Sequence, residues 1–151
     1  MRMDRDAVRK KRAARDSHIL VTGGAGFLGS HIAVALLKTG YRVTVVARSS
    51  KRLGARARID RLAGWFGLDE GQAGALEVLE GDILDPGWPE AAAGAGRVDE
   101  IVHCASSTAF AELKRAEVEA ANIDGLRNVL DIAVRTDCGF FHHISTAYVA
   151  G

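Results

Sequence analysis

The sequence predicts an α/β fold built on a doubly wound parallel sheet, and three observations predict it. Short β-branched or apolar runs alternate with longer helical patterns from residue 17 onward. Several runs are almost continuously apolar, as strands are when a parallel sheet is covered on both faces. A glycine-rich turn joins the first run directly to the first helical pattern. Strand–helix–strand repetition with crossovers of this length requires parallel pairing and right-handed connections. The expected strand order is 3-2-1-4-5, with the glycine turn at the carboxyl edge beside the order reversal.

Strands are expected at residues 18–22 (HILVT), 42–46 (RVTVV), 76–79 (LEVL), 100–103 (EIVH) and 140–145 (FFHHIS). Between the first two, residues 27–38 place Leu28, Ile32, Ala35 and Leu36 on one helical face, and Gly40 follows as a C′ residue. Between the last two, residues 117–135 set Asn122, Leu126, Val129, Leu130 and Ala133 along one stripe. Weaker helices are expected at 53–66 and 90–95. There is no internal repeat, and the one biased stretch, 91–96 (AAAGAG), reads as a helix end and turn.

Length and composition bound the rest. A chain of 151 residues with 48% hydrophobic and 26% charged residues is one globular domain, not a disordered or collagen-like chain. Residues 1–16 form a basic N-terminal arm with seven basic residues against three acidic. That leaves thirteen basic against sixteen acidic in the folded domain, residues 17–151. A basic arm suits nucleic acid or an anionic membrane, but a solvated tail or short fraying helix is the simpler account, and no nucleic-acid partner is expected. The longest apolar stretches run five or six residues, so neither a signal peptide nor a membrane span is expected. Cys104 and Cys138, with no CxxC, fit a reduced cytoplasmic compartment.

The first strand runs into Thr22-Gly23-Gly24-Ala25-Gly26-Phe27-Leu28-Gly29. Glycines 23, 26 and 29 have the spacing GxxGxxG: Gly23 for the tight turn, Gly26 for backbone approach to a pyrophosphate, Gly29 for close helix–sheet packing. The helix that starts at Phe27 and Leu28 adds positive potential from its N-terminus. The context, an apolar strand before and an amphipathic helix after, makes this a dinucleotide site of Rossmann type. A site that prefers NAD places an acid at the end of strand two to accept from the ribose 2′-OH. Here strand two ends VVAR and no carboxylate follows, so Arg48 is expected to pair with a 2′-phosphate and the cofactor to be NADP (NADPH). At the end of strand four, Cys104, Ala105 and Ser106 are small enough to let the backbone pass close to the cofactor ribose.

TGGAGFLG resembles the fingerprint of extended short-chain dehydrogenases/reductases, and the later motifs narrow the resemblance. With VARS, EGDI, VHCAS, AANIDGLRNVL and FHHISTAYVAG in order, residues 18–151 look like the thioester reductase and fatty acyl-CoA reductase (male-sterility-type) branch. The resemblance implies that Asp82 accepts from the adenine amino group, that Ile83 packs against the ring, and that Asn122 supports the strand-four backbone or a proton relay. It implies NADPH-dependent reduction of an acyl thioester, carried on coenzyme A or a carrier-protein pantetheine arm, to an aldehyde or alcohol. The family's Ser/Thr position falls best on Thr146, with Ser145 the second choice; its hydroxyl would bind the substrate oxygen where charge develops. The family's Tyr-x-x-x-Lys helix has no counterpart, since Tyr41 precedes strand two and Tyr148 lies in the strand-five loop. The chain is therefore expected to be truncated before the catalytic helix and substrate region, and inactive alone. Two alternatives share the fold: a sugar-nucleotide epimerase or dehydratase, and a non-catalytic nucleotide-binding scaffold.

Other residues read as structural. His142 and His143 are neighbours on a strand and face opposite ways, and with His103 they have no carboxylate or cysteine cluster to complete a ligand set, so no metal is expected. Cys104 is expected as a small buried residue rather than a nucleophile.

Overall fold

The computed structural model describes residues 17–94, 96–109 and 112–145, the side chain of Glu112 excepted. The basic arm, Thr146 and Tyr148 lie outside the described residues. Five parallel strands form one sheet in the order β3-β2-β1-β4-β5: β1 His18–Thr22, β2 Arg42–Ala47, β3 Leu76–Glu80, β4 Glu100–His103 and β5 Phe140–His143. The doubly wound fold and its strand order are as expected. Strand β5 stops two residues short of the expected end.

Alternation of side chains along β1 builds two cores, one on each face of the sheet. Ile19 and Val21 join Val43, Val45 and Leu76 against α1 (Phe27–Lys38) and α2 (Ala55–Trp65). Leu20, with Val46 and Ile101, meets Trp88 of α4 (Trp88–Gly94) and Val129 and Ile132 of α6 (Gly125–Arg135) on the other face. A short α3 (Glu70–Gly74) was not expected, although Asp69 and Gln72 make a capping box legible in the sequence.

The expected buried face of α1 is corrected by one position. The buried residues are Gly29, Ser30, Ala33 and Leu37, while Leu28 is 46% exposed. Helix α1 is apolar nearly all round, so hydrophobic periodicity does not choose a face. The choice is made by Gly29, which must lie against Gly23: a Cβ there would collide with the Gly23 carbonyl. The long helix also differs from expectation. It starts after a 3₁₀ turn (Glu112–Lys114) as α5 (Arg115–Glu119), passes through a π-helical turn (Ala120–Asp124) and continues as α6. The expected stripe holds at Val129, but Gly125 and Ile132 complete it and Leu130 is 42% exposed.

Helices α1 and α6 end in the same bond pattern with different residues. After α1, Gly40 has φ +92° and the N–H groups of Gly40 and Tyr41 reach back to the Leu37 and Leu36 carbonyls, a Schellman motif. After α6, Asp137 takes that place at φ +49°, and Asp137 and Cys138 reach back to Val134 and Ala133. A left-handed conformation costs an ordinary L residue about 1–2 kcal/mol, and a carboxylate at a helix C-terminus opposes the dipole. Asp137→Gly should therefore stabilise the chain by about 0.5–1 kcal/mol. Gly24→Ala should destabilise it by about 1–3 kcal/mol or more, because the new methyl would sit 2.6 Å from the Val45 Cβ. Thermal melts of the two variants check both signs.

Candidate functional site

The order reversal between β1 and β4 opens a cleft of about 400 Å³ at the carboxyl edge of the sheet. Gly23, Ala25 and Gly26 form its floor, Arg48, Asp82 and Ile83 one end, and Cys104, Ala105 and Ser106 the other. The structure thus brings most of the sequence-chosen residues together. Thr22, Gly29 and Asn122 hold the cleft in shape without lining it. Phe27 is 83% exposed and packs at a tilt against His31, ring centres 4.6 Å apart, so Phe27 and Leu28 offer the cleft only backbone N–H groups at the start of α1.

The floor fits a pyrophosphate by what it excludes. Gly23 has φ +70°, and a Cβ there would lie 2.9 Å from the Ala105 nitrogen. Gly26 donates to the Gly23 carbonyl at 2.8 Å, and α1 then begins with no acidic residue in its first turn. The N-terminal half-charge of the helix therefore faces the cleft uncompensated. Gly24, which sequence spacing passed over, is fixed just as firmly by its contact with Val45.

A buried relay ties this turn to the end of β4. The Ala105 N–H donates to Thr22 Oγ1 at 3.3 Å, and the same hydroxyl shares a hydrogen bond with His103 Nδ1 at 2.7 Å. Thr22 is fully buried and His103 is 2% exposed. Burial, and then the neighbouring His143 ring, push the His103 pKa down to about 4. The two imidazoles stack at 5.4 Å and 15°. His103 is therefore neutral at pH 7. The sequence had marked His103 only as a histidine apt to mislead; its place beside Thr22 needed the β1–β4 register, which pairs the two residues. Cys104 is half-buried, and burial raises its thiol pKa, which keeps it protonated and unreactive.

At the other end, Asp82 takes the Leu84 N–H on one oxygen at 3.0 Å and the Arg48 guanidinium on the other at 3.0 Å. Partial burial works to raise its pKa, but these two donors more than offset it and the carboxyl lies below its usual value. Arg48 therefore does not stand without acids, as the sequence had implied: β3 supplies Asp82, and Glu80 accepts from Ser49. Asn128, not singled out in the sequence, donates to the Ile83 carbonyl at 2.7 Å and pins the loop after β3 to α6. Asn122 holds Ser107 with two bonds, accepting from its N–H at 2.8 Å and donating to its carbonyl at 3.0 Å. Ser145 is described and exposed just past β5; Thr146 is not among the described residues.

Residues 19–151 match the family model described as the NAD dependent epimerase/dehydratase family. The chain belongs to that family. UDP-glucose 4-epimerase 4 of Oryza sativa subsp. japonica is 32% identical over 149 residues, which covers 96% of this chain and 38% of that protein. The UDP-glucose 4-epimerase of Bifidobacterium longum, solved with NAD+ and UDP, superposes with a TM-score of 0.72 at 26% identity over 89% of this chain and 38% of its own. The terminal R domain of the myxalamid PKS-NRPS biosynthetic pathway does so with a TM-score of 0.72 at 26% identity over 89% of this chain and 35% of its own. The expected thioester reductase branch is thus met by the R domain structure, while the curated relatives include UDP-sugar epimerases and a dTDP-glucose 4,6-dehydratase. The chain spans 38% and 41% of the rice epimerase and that dehydratase, and 19% of a UDP-arabinose 4-epimerase relative. Among the described residues no helix is long and apolar enough to cross a membrane.

The lowered His103 pKa sets a pH window. Unfolded, the imidazole takes up a proton near pH 6.5; folded, only near pH 4. The unfolded state therefore binds more protons between those values, and stability falls as pH drops from about 6.5 to about 4. The loss is on the order of 3 kcal/mol. His103→Asn, which keeps an acceptor for Thr22 but cannot titrate, should flatten this part of the pH–Tm curve.

Proposed function

We propose that this chain is the dinucleotide-binding portion of an NAD(P)-dependent enzyme that epimerises or dehydrates a nucleotide-activated sugar. The observation that carries the proposal is family membership across residues 19–151, joined to a cleft whose turn requires glycine at residue 23. The UDP-glucose 4-epimerase relatives supply the substrate class. The nicotinamide, when bound, supplies hydride transfer.

The chain's own residues divide the remaining work. The α1 N-terminus and Gly26 would hold the pyrophosphate, Asp82 and Ile83 the adenine, and the small Cys104–Ser106 backbone the ribose beside the nicotinamide. Thr22 and His103 keep that backbone at its distance, Asn122 steadies the segment that follows, and Arg48 would meet a 2′-phosphate. A hydroxyl after β5, Thr146 first and Ser145 second, would bond the oxygen on the carbon that loses or gains hydride, where charge develops in the transition state. No tyrosine–lysine pair for proton transfer is assigned within residues 1–151, and the 151-residue chain alone is expected to be inactive.

Acyl thioester reduction is the second reading, supported by Arg48 in place of an acid after β2 and by the likeness to the R domain. The protein encoded by the complete gene separates the two. With UDP-glucose and NAD+ it should yield an epimerised or dehydrated sugar nucleotide and leave acyl-CoA with NADPH unconsumed. NADPH oxidation dependent on acyl-CoA, with sugar nucleotides inert, would replace the sugar proposal with thioester reduction. For the cofactor, NADPH should bind the chain about three- to tenfold more tightly than NADH, since a charge-assisted bond adds about 1.5–3 kcal/mol and Arg48 must partly give up Asp82 to make it. Arg48→Ala should abolish the difference in a fluorescence titration of both nucleotides.

A further inference from the structure

We propose that Glu80 is the residue that opposes Arg48 in choosing between the two cofactors: a carboxylate from the end of β3 standing where such folds keep an acid at the end of β2. The proposal rests on the cofactor part of the function proposed above. It begins from register. Glu80 is the parallel partner of Ala47, and the Gly81 N–H donates to the Ala47 carbonyl at 3.2 Å. The last residue of β3 therefore lies one strand spacing, about 4.8 Å, from the residue that precedes Arg48. Along β3 the side chains of Leu76, Val78 and Glu80 share a face, and Leu76 and Val78 pack into the core beneath α1 and α2. Glu80 points the same way, toward the start of α2.

Its carboxylate is held there. The Ser49 hydroxyl donates to Glu80 Oε1, and Ser49 Oγ accepts from the N–H of Ala55, the first residue of α2, at 3.0 Å. Glu80 is thereby tied through one serine to a helix N-terminus, a site that favours negative charge. Arg48, Ser49, Ser50, Arg58, Glu80 and Asp82 line a single open recess beyond the adenine end of the cleft. Arg58 reaches in from α2 to donate to the Arg48 carbonyl. Two guanidinium groups thus face two carboxylates, and their charges cancel.

That balance decides what the recess prefers. A ribose 2′-hydroxyl brings no charge and offers a proton that a carboxylate accepts. A 2′-phosphate brings close to two negative charges and no such proton. Arg48 and Arg58 attract it, Asp82 holds Arg48 back, and Glu80 repels it. The discrimination is the difference between these terms, so removing Glu80's charge alone should widen it.

The test is titration of NADH, NADPH and the fragments 2′,5′-ADP and ADP into the 151-residue chain, wild type and Glu80→Gln. Glutamine keeps an oxygen for Ser49 and removes only the charge. NADPH and 2′,5′-ADP should bind the variant roughly three- to tenfold more tightly, an effect that shrinks in high salt. NADH and ADP should bind equally well or slightly less well, with an unchanged Tm. An unchanged NADPH-to-NADH ratio, with both still binding, overturns the role of Glu80 and leaves the cofactor proposal standing. Equal changes in all four ligands overturn it too, since they mark an effect on the fold. A wild-type chain that binds neither nucleotide overturns both proposals together.

Discussion

The approach of the β1–α1 turn to the end of β4 is the constraint on which the rest of the molecule depends. Gly23 comes so close to Ala105 that any side chain would displace the β4 backbone. The gap is held by a hydroxyl: Thr22 takes the Ala105 N–H and is hydrogen-bonded to His103. Because Thr22 and His103 are register partners on neighbouring strands, the relay also locks β1 against β4 at the point where the strand order reverses. The cleft exists because these two backbones are held apart by a fixed amount, with the start of α1 facing into it.

The same constraint explains the otherwise ambiguous seating of α1. With apolar residues on most of its surface, the helix is rotated by the contact between Gly29 and Gly23, and Leu37 and Ala33 follow into the core. On the opposite face, α6 and the π-helical turn before it reach the site through two amides. Asn128 fixes the carbonyl of Ile83, and Asn122, set on a π-helical turn, fixes Ser107. Both are polar side chains in a helix interior, where propensity disfavours asparagine; each offsets that cost by satisfying loop backbone groups that bound the cleft.

Charge is arranged differently at the two ends of the cleft. Beside Cys104 the surroundings are nearly neutral, with a buried imidazole kept uncharged by desolvation. Around Arg48 two cations and two anions share one open recess. The chain belongs to the NAD dependent epimerase/dehydratase family, and this recess is where its own charges meet. The chain superposes equally well on an epimerase and on the R domain, as expected when one fold carries different functions.

The sequence by itself determined the sheet, its order, the glycine turn and the residues around the cleft. These follow from local signals: apolar strands, helix periodicity, and turns that demand glycine. It misjudged what depends on neighbours distant in the chain. The face of α1 was decided by a contact with Gly23 rather than by periodicity. The left-handed C′ position after α6, filled by Asp137, carried no glycine signal to mark it. His103 acquired its role only through β1. The acids missing after β2 were present all along in EGDI, but only parallel pairing of Ala47 with Glu80 brings them beside Arg48. A strand's own residues fix what it can bury; which charges meet at its end is fixed by the strand alongside.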